Sequence, residues 1–154
     1  MYKVRCVKTK VMFPLIKEIL SRKGSVRITV TGMSMYPFLR QNIDSVELSP
    51  TDFEHICRGD IVLTVRNNGQ YILHRVHRKE RDVFYMVGDA QHRIEGPLRP
   101  HQLAAVVTAV WRRERRIQCL DLRWRLLSAL WLNTLPFRAF VMKSYGYLRR
   151  IMGR

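Results

Sequence analysis

A serine and a histidine, forty residues apart in the chain, could together perform acyl transfer. Ser34 lies in the stretch TGMSMYPFLRQNID, between Met33 and Met35, and His74 lies in QYILHRVH. A serine hydroxyl is a weak nucleophile at neutral pH and needs a neighbouring base to remove its proton. An uncharged histidine is such a base. The two residues therefore form a candidate nucleophile and general base.

The alternation of side chains around His74 predicts its surroundings. In a strand, His74 shares a face with Ile72 and Val76. An apolar environment lowers the pKa of an imidazole from its ordinary value of about 6.5. If His74 is the base, we expect activity to rise as the pH increases, with an apparent pKa of about 6–7. The alternative is a core histidine whose role is structural.

Short strands with turn residues between them must position these side chains. The turn NNG (residues 67–69) favours a hairpin, because Asn and Gly accept positive φ. The pattern predicts a mainly β domain over residues 1–111, an antiparallel β-barrel or folded sheet, with a short N-terminal helix over 12–24. The six predicted strands are SVRITVT (25–31), SVEL (45–48), GDIVLTV (59–65), QYILHRVH (70–77), DVFYMV (82–87) and AAVVTAVW (104–111).

Residues 112–154 have a different composition and are predicted to form a basic, amphipathic helical extension. This segment carries ten arginines and one lysine against Glu114 and Asp121, so it holds more than half of the net charge of +16. Aromatic residues lie between the basic ones. Such a segment suits the interface of an anionic bilayer. The alternative is a helix pair that packs on the β domain and exposes a basic face to solvent.

The net charge of +16 indicates an anionic partner or surface. Membrane lipid, an acidic polypeptide and nucleic acid all qualify. The sequence contains no helix-turn-helix, zinc-finger or RNA-recognition motif, so nucleic acid is the least favoured of the three.

The cysteines and the apolar runs bear on the cellular setting. Cys6, Cys57 and Cys119 form no Cys-x-x-Cys pair, which argues against a thiolate zinc site and against a disulfide framework. We expect no metal and no cofactor. The longest uncharged run, residues 126–137, is shorter than the ~20 residues that span a bilayer. We expect a cytoplasmic protein with reduced thiols, with peripheral attachment to the membrane as the second possibility.

Four short motifs, GMSMYP, GDIVL, ILHRV and MVGDA, follow one another in this order. Together they resemble the signature boxes of the type I signal peptidase superfamily, which are shared in part with the self-cleaving SOS repressors. The resemblance covers Val26 to Val110. It implies a signal-peptidase-like β fold and the activity of a serine endopeptidase.

The resemblance also implies residue roles. Ser34 corresponds to the nucleophile, and His74 stands where bacterial members have a lysine, as in the Ser-His branch of the superfamily. Asp89 corresponds to the aspartate associated with that histidine, which would fix its tautomer and stabilise the imidazolium. Glu95 is the second candidate for this carboxylate. The implied substrate is a peptide or precursor protein, bound in extended form along a sheet edge, with small side chains before the cut and the backbone N–H of Ser34 in the oxyanion hole.

Three departures from the superfamily pattern keep a second interpretation open. Gly32 stands where bacterial members often carry a second serine, and Ile43–Asp44 replaces a Gly-Asp pair. No run before Ser34 is long enough to span a membrane. We therefore expect a peptidase that trims a particular peptide or leader rather than a housekeeping signal peptidase. The alternative is a catalytically inactive member that binds peptides or a membrane surface.

Overall fold

The computed structural model describes residues 9–140 and 143–144, and the backbone alone for residues 9–12. Cys6 and the end of the predicted extension, residues 145–154, lie outside the described residues. Cys57 and Cys119 are free thiols. The described side chains include no group of three or more His, Cys, Asp or Glu that could hold a metal ion.

Eight antiparallel strands in the described residues form a single sheet. The order is β1-β2-β7-β3-β4-β5-β6. β3 pairs with residues 103–106 of β7, and β8 pairs with residues 109–112 of the same strand. The predicted mainly β architecture is confirmed. The sheet is open, because no described pairing joins β1 to β6. The strands are β1 (Val26–Thr29), β2 (Asp44–Ser49), β3 (Ile61–Val65), β4 (Tyr71–Lys79), β5 (Phe84–Val87), β6 (Glu95–Leu98), β7 (Leu103–Arg112) and β8 (Arg115–Gln118).

Helices α1 and α2 flank the sheet, and residues 138–140 and 143–144 are also helical. Helix α1 spans Thr9–Ser21, so it begins and ends three residues before the predicted range of 12–24, and the chain leaves it through Lys23 at φ 56°. Helix α2 spans Leu122–Asn133. Short 3-10 turns lie at Pro100–Gln102, before β7, and at Leu135–Phe137, after α2. None of the helices in the described part of the chain is both long enough and apolar enough to cross a membrane.

The hydrophobic core lies on both sides of β3. Ile61 and Leu63 pack into a cluster with α1, β1, β2 and β7, whereas Val62 packs with β4, β5 and β6. Both clusters exclude water from β3, which explains why its sequence is almost continuously apolar. The hairpin from β3 to β4 turns at residues 67–69, as the NNG motif predicts.

The boundary between the β domain and the helical extension differs from the predicted position at 111/112. β7 continues through Arg112 and turns directly into β8, so helical structure begins only at Leu122. The arginines of β8 are compatible with a strand because this strand lies at the surface, where Arg116 donates two hydrogen bonds to Glu47. Trp124 of α2 belongs to the hydrophobic core. Residues 112–133 are thus part of the β domain rather than an appendage to it.

Candidate active site

Ser34 lies in the turn between β1 and β2. The neighbouring Met35 is buried at 2% exposure, and its carbonyl accepts a hydrogen bond from Leu39 N at 2.8 Å. Leu39 is also fully buried, so the two side chains anchor the turn in the core. Ser34 is half-buried, and Met33 is 58% exposed. The turn therefore presents Ser34 at the surface beside an exposed apolar side chain, as its sequence suggests.

The absence of a second serine at Gly32 has a conformational reason. Gly32 adopts φ +93°, a region that side-chain-bearing residues rarely occupy. No atom lies within 4 Å of the position that a Cβ would take, so space is not the constraint. A second hydroxyl at this position would require strained backbone or a different turn, so the described turn places no side-chain oxyanion donor at residue 32.

The segment after β5 packs directly on the Ser34 turn. Ala90 N donates a hydrogen bond of 2.8 Å to the carbonyl of Ser34. A Cβ added to Gly88 would lie 2.7 Å from the same carbonyl, so only glycine permits this approach. In the Gly-Asp motif at residues 88–89, the glycine is therefore needed because a side chain would collide with the serine turn.

His74 lies in the middle of β4, paired with Val62 of β3, and is 3% exposed. Its Nδ1 atom makes no hydrogen bond, although it is buried. Burial lowers the pKa of His74 to about 4, and the positive charge of Arg66 acts in the same direction while Glu95 opposes it. The ring is therefore neutral at pH 7. The direction of this pKa shift agrees with the sequence prediction, but a pKa of about 4 lies below the apparent pKa of 6–7 expected for the activity profile.

The Ser34 turn and the His74 strand meet at the same segment. Val87 pairs with Arg75, the residue after His74, and the next residue, Gly88, approaches the carbonyl of Ser34. Two residues far apart in sequence are thus placed against a single stretch of backbone. No described hydrogen bond joins the Ser34 hydroxyl to the His74 ring.

The carboxylate of Asp89 does not contact His74, and this corrects the expectation that Asp89 orients the ring. Asp89 is fully buried, and its two oxygens accept hydrogen bonds from Arg75 Nε at 2.8 Å and Nη2 at 2.7 Å. Successive side chains of a strand point to opposite faces, so His74 and Arg75 diverge. Asp89 lies on the Arg75 side of β4 and forms an ion pair with the Arg75 guanidinium instead.

Glu95, the second candidate, is the carboxylate beside His74. Its Oε2 lies 3.7 Å from His74 Nδ1, which is too long for a hydrogen bond. Both of its oxygens accept hydrogen bonds of 2.6 Å from Arg66, through Nε and Nη2. The Arg66 guanidinium holds the pKa of this carboxyl below its ordinary value. Glu95 is therefore ionised, and most of its charge is matched by Arg66.

A cavity of about 700 Å³ is lined by Arg66 and by residues 90–96, and neither Ser34 nor His74 is among these lining residues. Its lining begins at Ala90, whose N–H donates to the Ser34 carbonyl, and continues along the chain to Glu95 and Gly96, with Arg66 bonded to Glu95. The cavity is large enough for several side chains of an extended peptide. Arg66, His92 and Arg93 supply its basic groups, and Glu95 is its single acidic one.

Two residues of the C-terminal part of the chain hold the 88–91 segment and a third holds Arg75, and the sequence analysis did not single them out. Arg138 is 1% exposed and donates hydrogen bonds to the carbonyls of Gly88 at 3.0 Å and Gln91 at 2.8 Å. Trp131 Nε1 donates to the carbonyl of Asp89 at 3.1 Å. Ser128 Oγ accepts from Arg75 Nη1 at 2.8 Å. The available signal was the small polar Ser128 among the leucines of α2.

The outward side of α2 carries a row of leucines as well as two arginines. Trp124, Ser128 and Leu132 are buried against the β domain, four residues apart. Leu122, Leu126 and Leu130, also four residues apart, are 70%, 55% and 63% exposed on the opposite side of the helix. We call these three leucines the leucine face. The helix packs on the sheet, as one of the two sequence-based interpretations predicts, and its exposed surface carries the leucine face as well as Arg123 and Arg125.

Comparison with known proteins yields no matching family model, no matching curated protein and no matching solved structure. The assignment of function therefore depends on the residues and their geometry.

Proposed function

We propose that this protein is a serine endopeptidase that resembles type I signal peptidases, with Ser34 as nucleophile and His74 as general base. The observation that carries the proposal is the position of the 87–90 segment, which pairs with β4 next to His74 and contacts the Ser34 carbonyl. The neutral, buried imidazole of His74 supports the same assignment, because a general base must be unprotonated before it can act.

The proposed reaction proceeds in two steps. Ser34 Oγ attacks the scissile carbonyl while His74 accepts the hydroxyl proton, and the tetrahedral intermediate collapses when His74 returns that proton to the leaving amine. Water then attacks the acyl-enzyme, again with His74 as base, and releases the acid. The backbone N–H of Ser34 contributes to the oxyanion hole. No metal or cofactor takes part in these steps.

The proposed substrate is an extended peptide. β1 and β6 are the two ends of the described strand order, so each offers unpaired backbone groups to a further strand. β1 leads into the Ser34 turn, and β6 begins at Glu95 on the wall of the cavity. A peptide that adds to β1 would pass the Ser34 turn, and one that adds to β6 would pass the cavity wall at Glu95.

Cleavage assays with matched serine variants test the proposal. Purified wild-type protein, Ser34→Ala, His74→Gln and the control Ser25→Ala, an exposed serine, are incubated with a peptide library and analysed by mass spectrometry. We expect cleavage by the wild type and the control only. A serine-directed or β-lactam-type probe should form a mass adduct on Ser34. Equal cleavage by wild type and Ser34→Ala would remove Ser34 from the mechanism.

An inactive peptide-binding protein with this fold is the alternative. It is favoured by the low pKa of His74, about 4, which makes the ring a weak base, and by the positive φ of Gly32. The same assays discriminate between the two functions. Peptide binding that is equal in wild type and Ser34→Ala, with no adduct and no cleavage, would support the alternative.

We further propose that the leucine face of α2 docks on an anionic lipid bilayer. Exposed leucines in a row are a feature of interaction sites rather than of solvated surfaces. Phe137 and Phe140 extend the apolar surface with exposures of 70% and 74%. Arg123 and Arg125 are exposed on the same helix, and the net charge of +16 favours anionic lipid over an apolar protein partner. Sedimentation with vesicles tests this proposal, with the variants described in the Discussion.

A further inference from the structure

Arg66 and Glu95 form a two-point ion pair on the wall of the cavity. Both hydrogen bonds measure 2.6 Å, and the side chains are 36% and 25% exposed, so both can be reached from the cavity. This bidentate arrangement is the one that guanidinium groups adopt with any carboxylate. Arg66 is thus already arranged to bind a carboxylate, and Glu95 is the one that now occupies it.

Glu95 lies between Arg66 and His74 but is bonded only to Arg66. Its Oε2 is 3.7 Å from His74 Nδ1, and that nitrogen makes no hydrogen bond. A shift of less than 1 Å would bring the carboxylate to the usual hydrogen-bond distance of about 2.7–3.2 Å. The histidine therefore lacks the partner that would orient it, although that partner lies next to it.

We propose that Arg66 is a carboxylate-binding subsite of the cavity, and that an acidic side chain of a bound peptide takes Arg66 from Glu95 and so releases Glu95 to bond with His74 Nδ1. The exchange replaces one carboxylate on Arg66 with another, so Arg66 stays paired, while the charge of Glu95 becomes available to the His74 ring. The catalytic meaning of this inference rests on the proposed peptidase function, but the binding event does not.

The exchange would change the chemistry of His74 in a defined direction. The charged groups that face His74 are Glu95 of β6 and Arg66, which follows β3. In the free protein Arg66 matches the charge of Glu95, so burial dominates and the ring is a weak base. After the exchange, Glu95 accepts the Nδ1–H, which leaves Nε2 free to accept the serine proton. Glu95 remains ionised and stabilises the imidazolium, so no proton moves to it.

The cavity offers a further cation, Arg93, that favours an acidic peptide. Arg93 and His92 are exposed on the same wall. Arg93 provides a matched control for Arg66, because it carries the same charge in the same cavity but makes no described hydrogen bond with Glu95. Any effect of removing a positive charge from the cavity should appear in both variants, whereas loss of the subsite should appear only with Arg66.

NMR titration of the His74 ring tests the inference without reference to cleavage. The Ser34→Ala protein is used as background, and Arg66→Gln, Glu95→Gln and Arg93→Gln are added to it. Release of Glu95 in Arg66→Gln should raise the pKa of His74 by about one unit or more. Glu95→Gln should not raise it. Arg93→Gln should have a clearly smaller effect than Arg66→Gln, and circular dichroism checks that every variant is folded.

Peptide binding completes the test. A short peptide with a central Glu should raise the pKa of His74 in the Ser34→Ala background, whereas the same peptide with Gln should not, and neither should do so when Arg66→Gln is present. We expect the Glu peptide to bind about tenfold more tightly than the Gln peptide, a difference that Arg66→Gln abolishes. Equal binding of both peptides, or an unchanged pKa in Arg66→Gln, would overturn the inference. Cleavage without preference for acidic peptides would reject the subsite and leave the peptidase function intact. Preferential binding of acidic peptides without any cleavage would support the subsite and reject the peptidase function.

Discussion

The side chains of Arg75 and Asp89 form a fully buried ion pair with two parallel hydrogen bonds, of 2.8 Å and 2.7 Å. Arg75 also donates to the carbonyl of Gly59 and to Ser128 of α2, and its guanidinium lies 4.6 Å from the ring centre of Phe38. One buried cation therefore joins β4, the segment after β5, helix α2 and the serine turn. This group therefore fixes the serine turn and the 88–89 backbone against β4 from the side opposite to His74.

Asp89→Asn should destabilise the protein severely. The substitution preserves the shape of the side chain but leaves Arg75 as a buried charge without a counterion, which costs about 3–5 kcal/mol in comparable cases. Urea denaturation of wild type, Asp89→Asn and the exposed control Asp82→Asn measures the effect. We expect the control to stay within about 0.5 kcal/mol of the wild type.

A double-mutant cycle separates the ion pair from general packing. The combination of Arg75→Met and Asp89→Asn should be less destabilising than the sum of the two single changes, because the double variant buries no unpaired charge. Strictly additive losses would mean that the pair contributes nothing as a pair.

The stability of the protein should fall as the pH is lowered from 6.5 to about 4, in part because of His74. The folded-state pKa of His74 is lowered from 6.5 to about 4, so in this window the unfolded chain binds a proton that the folded chain does not. The expected loss is about 3 kcal/mol, and it ends below the folded-state pKa. Urea denaturation at several pH values, compared between wild type and His74→Gln, isolates this contribution. His101→Gln, at an exposed histidine, serves as control and should follow the wild type.

The pH profile of kcat/KM should have its acidic limb near pH 4 rather than near 6–7. This parameter reports the groups of the free enzyme, in which the pKa of His74 is about 4. The limb of kcat reports the enzyme–substrate complex and should lie higher for an acidic peptide if Glu95 then bonds with His74. Circular dichroism at each pH distinguishes titration from unfolding. A limb that appears only above pH 9 would indicate a lysine as the base.

Substitution of the leucine face should abolish binding to vesicles without loss of stability. The triple change of Leu122, Leu126 and Leu130 to serine removes exposed side chains, each of which contributes roughly 1.5–3 kcal/mol when fully buried in lipid. We expect at least a tenfold loss of sedimentation with phosphatidylserine vesicles, where tenfold corresponds to about 1.4 kcal/mol. Leu15→Ser is the matched control, since this leucine is 50% exposed on α1.

The arginines of α2 test whether the docked surface is anionic. Arg123→Gln with Arg125→Gln should weaken binding to phosphatidylserine vesicles by about 1 kcal/mol per residue and leave binding to neutral vesicles unchanged. The wild type should sediment with vesicles that contain anionic lipid more than with vesicles that lack it. The membrane proposal would be contradicted if the wild type bound neutral and anionic vesicles equally. Tight, salt-dependent binding to nucleic acid would also contradict it.

Arg138→Gln should loosen the segment that supports Ser34. The change removes hydrogen bonds from a buried guanidinium to the carbonyls of Gly88 and Gln91, and about 1–3 kcal/mol of stability with them. Hydrogen exchange at the Ala90 amide, which donates to the Ser34 carbonyl, should become faster than in the exposed control Arg125→Gln. If exchange at this amide is unaffected, Arg138 does not position the serine turn.

Local patterns predicted most of the strands, and their failures have a common cause. β1 to β5 and β7 follow from alternation and from turn residues, which act over a few neighbouring positions. β6 has the sequence EGPL and β8 has RRIQ, and neither carries an apolar strand pattern. These two strands form because β5 and β7 present open edges at the right place, which is a property of the folded sheet.

The sequence by itself determined the alternation that forms the sheet, the turn that exposes Ser34 and the placement of His74 on an apolar face, because each depends on residues a few positions apart. Only the tertiary structure decided which carboxylate meets the histidine. Asp89 and Glu95 are six residues apart, and the choice between them depends on which face of β4 each one reaches after the chain has turned. The same applies to α2, whose composition indicates a basic helix but whose packing buries one side and leaves the leucines outward. Orientation relative to distant elements is set by packing across the whole fold, and no local pattern encodes it.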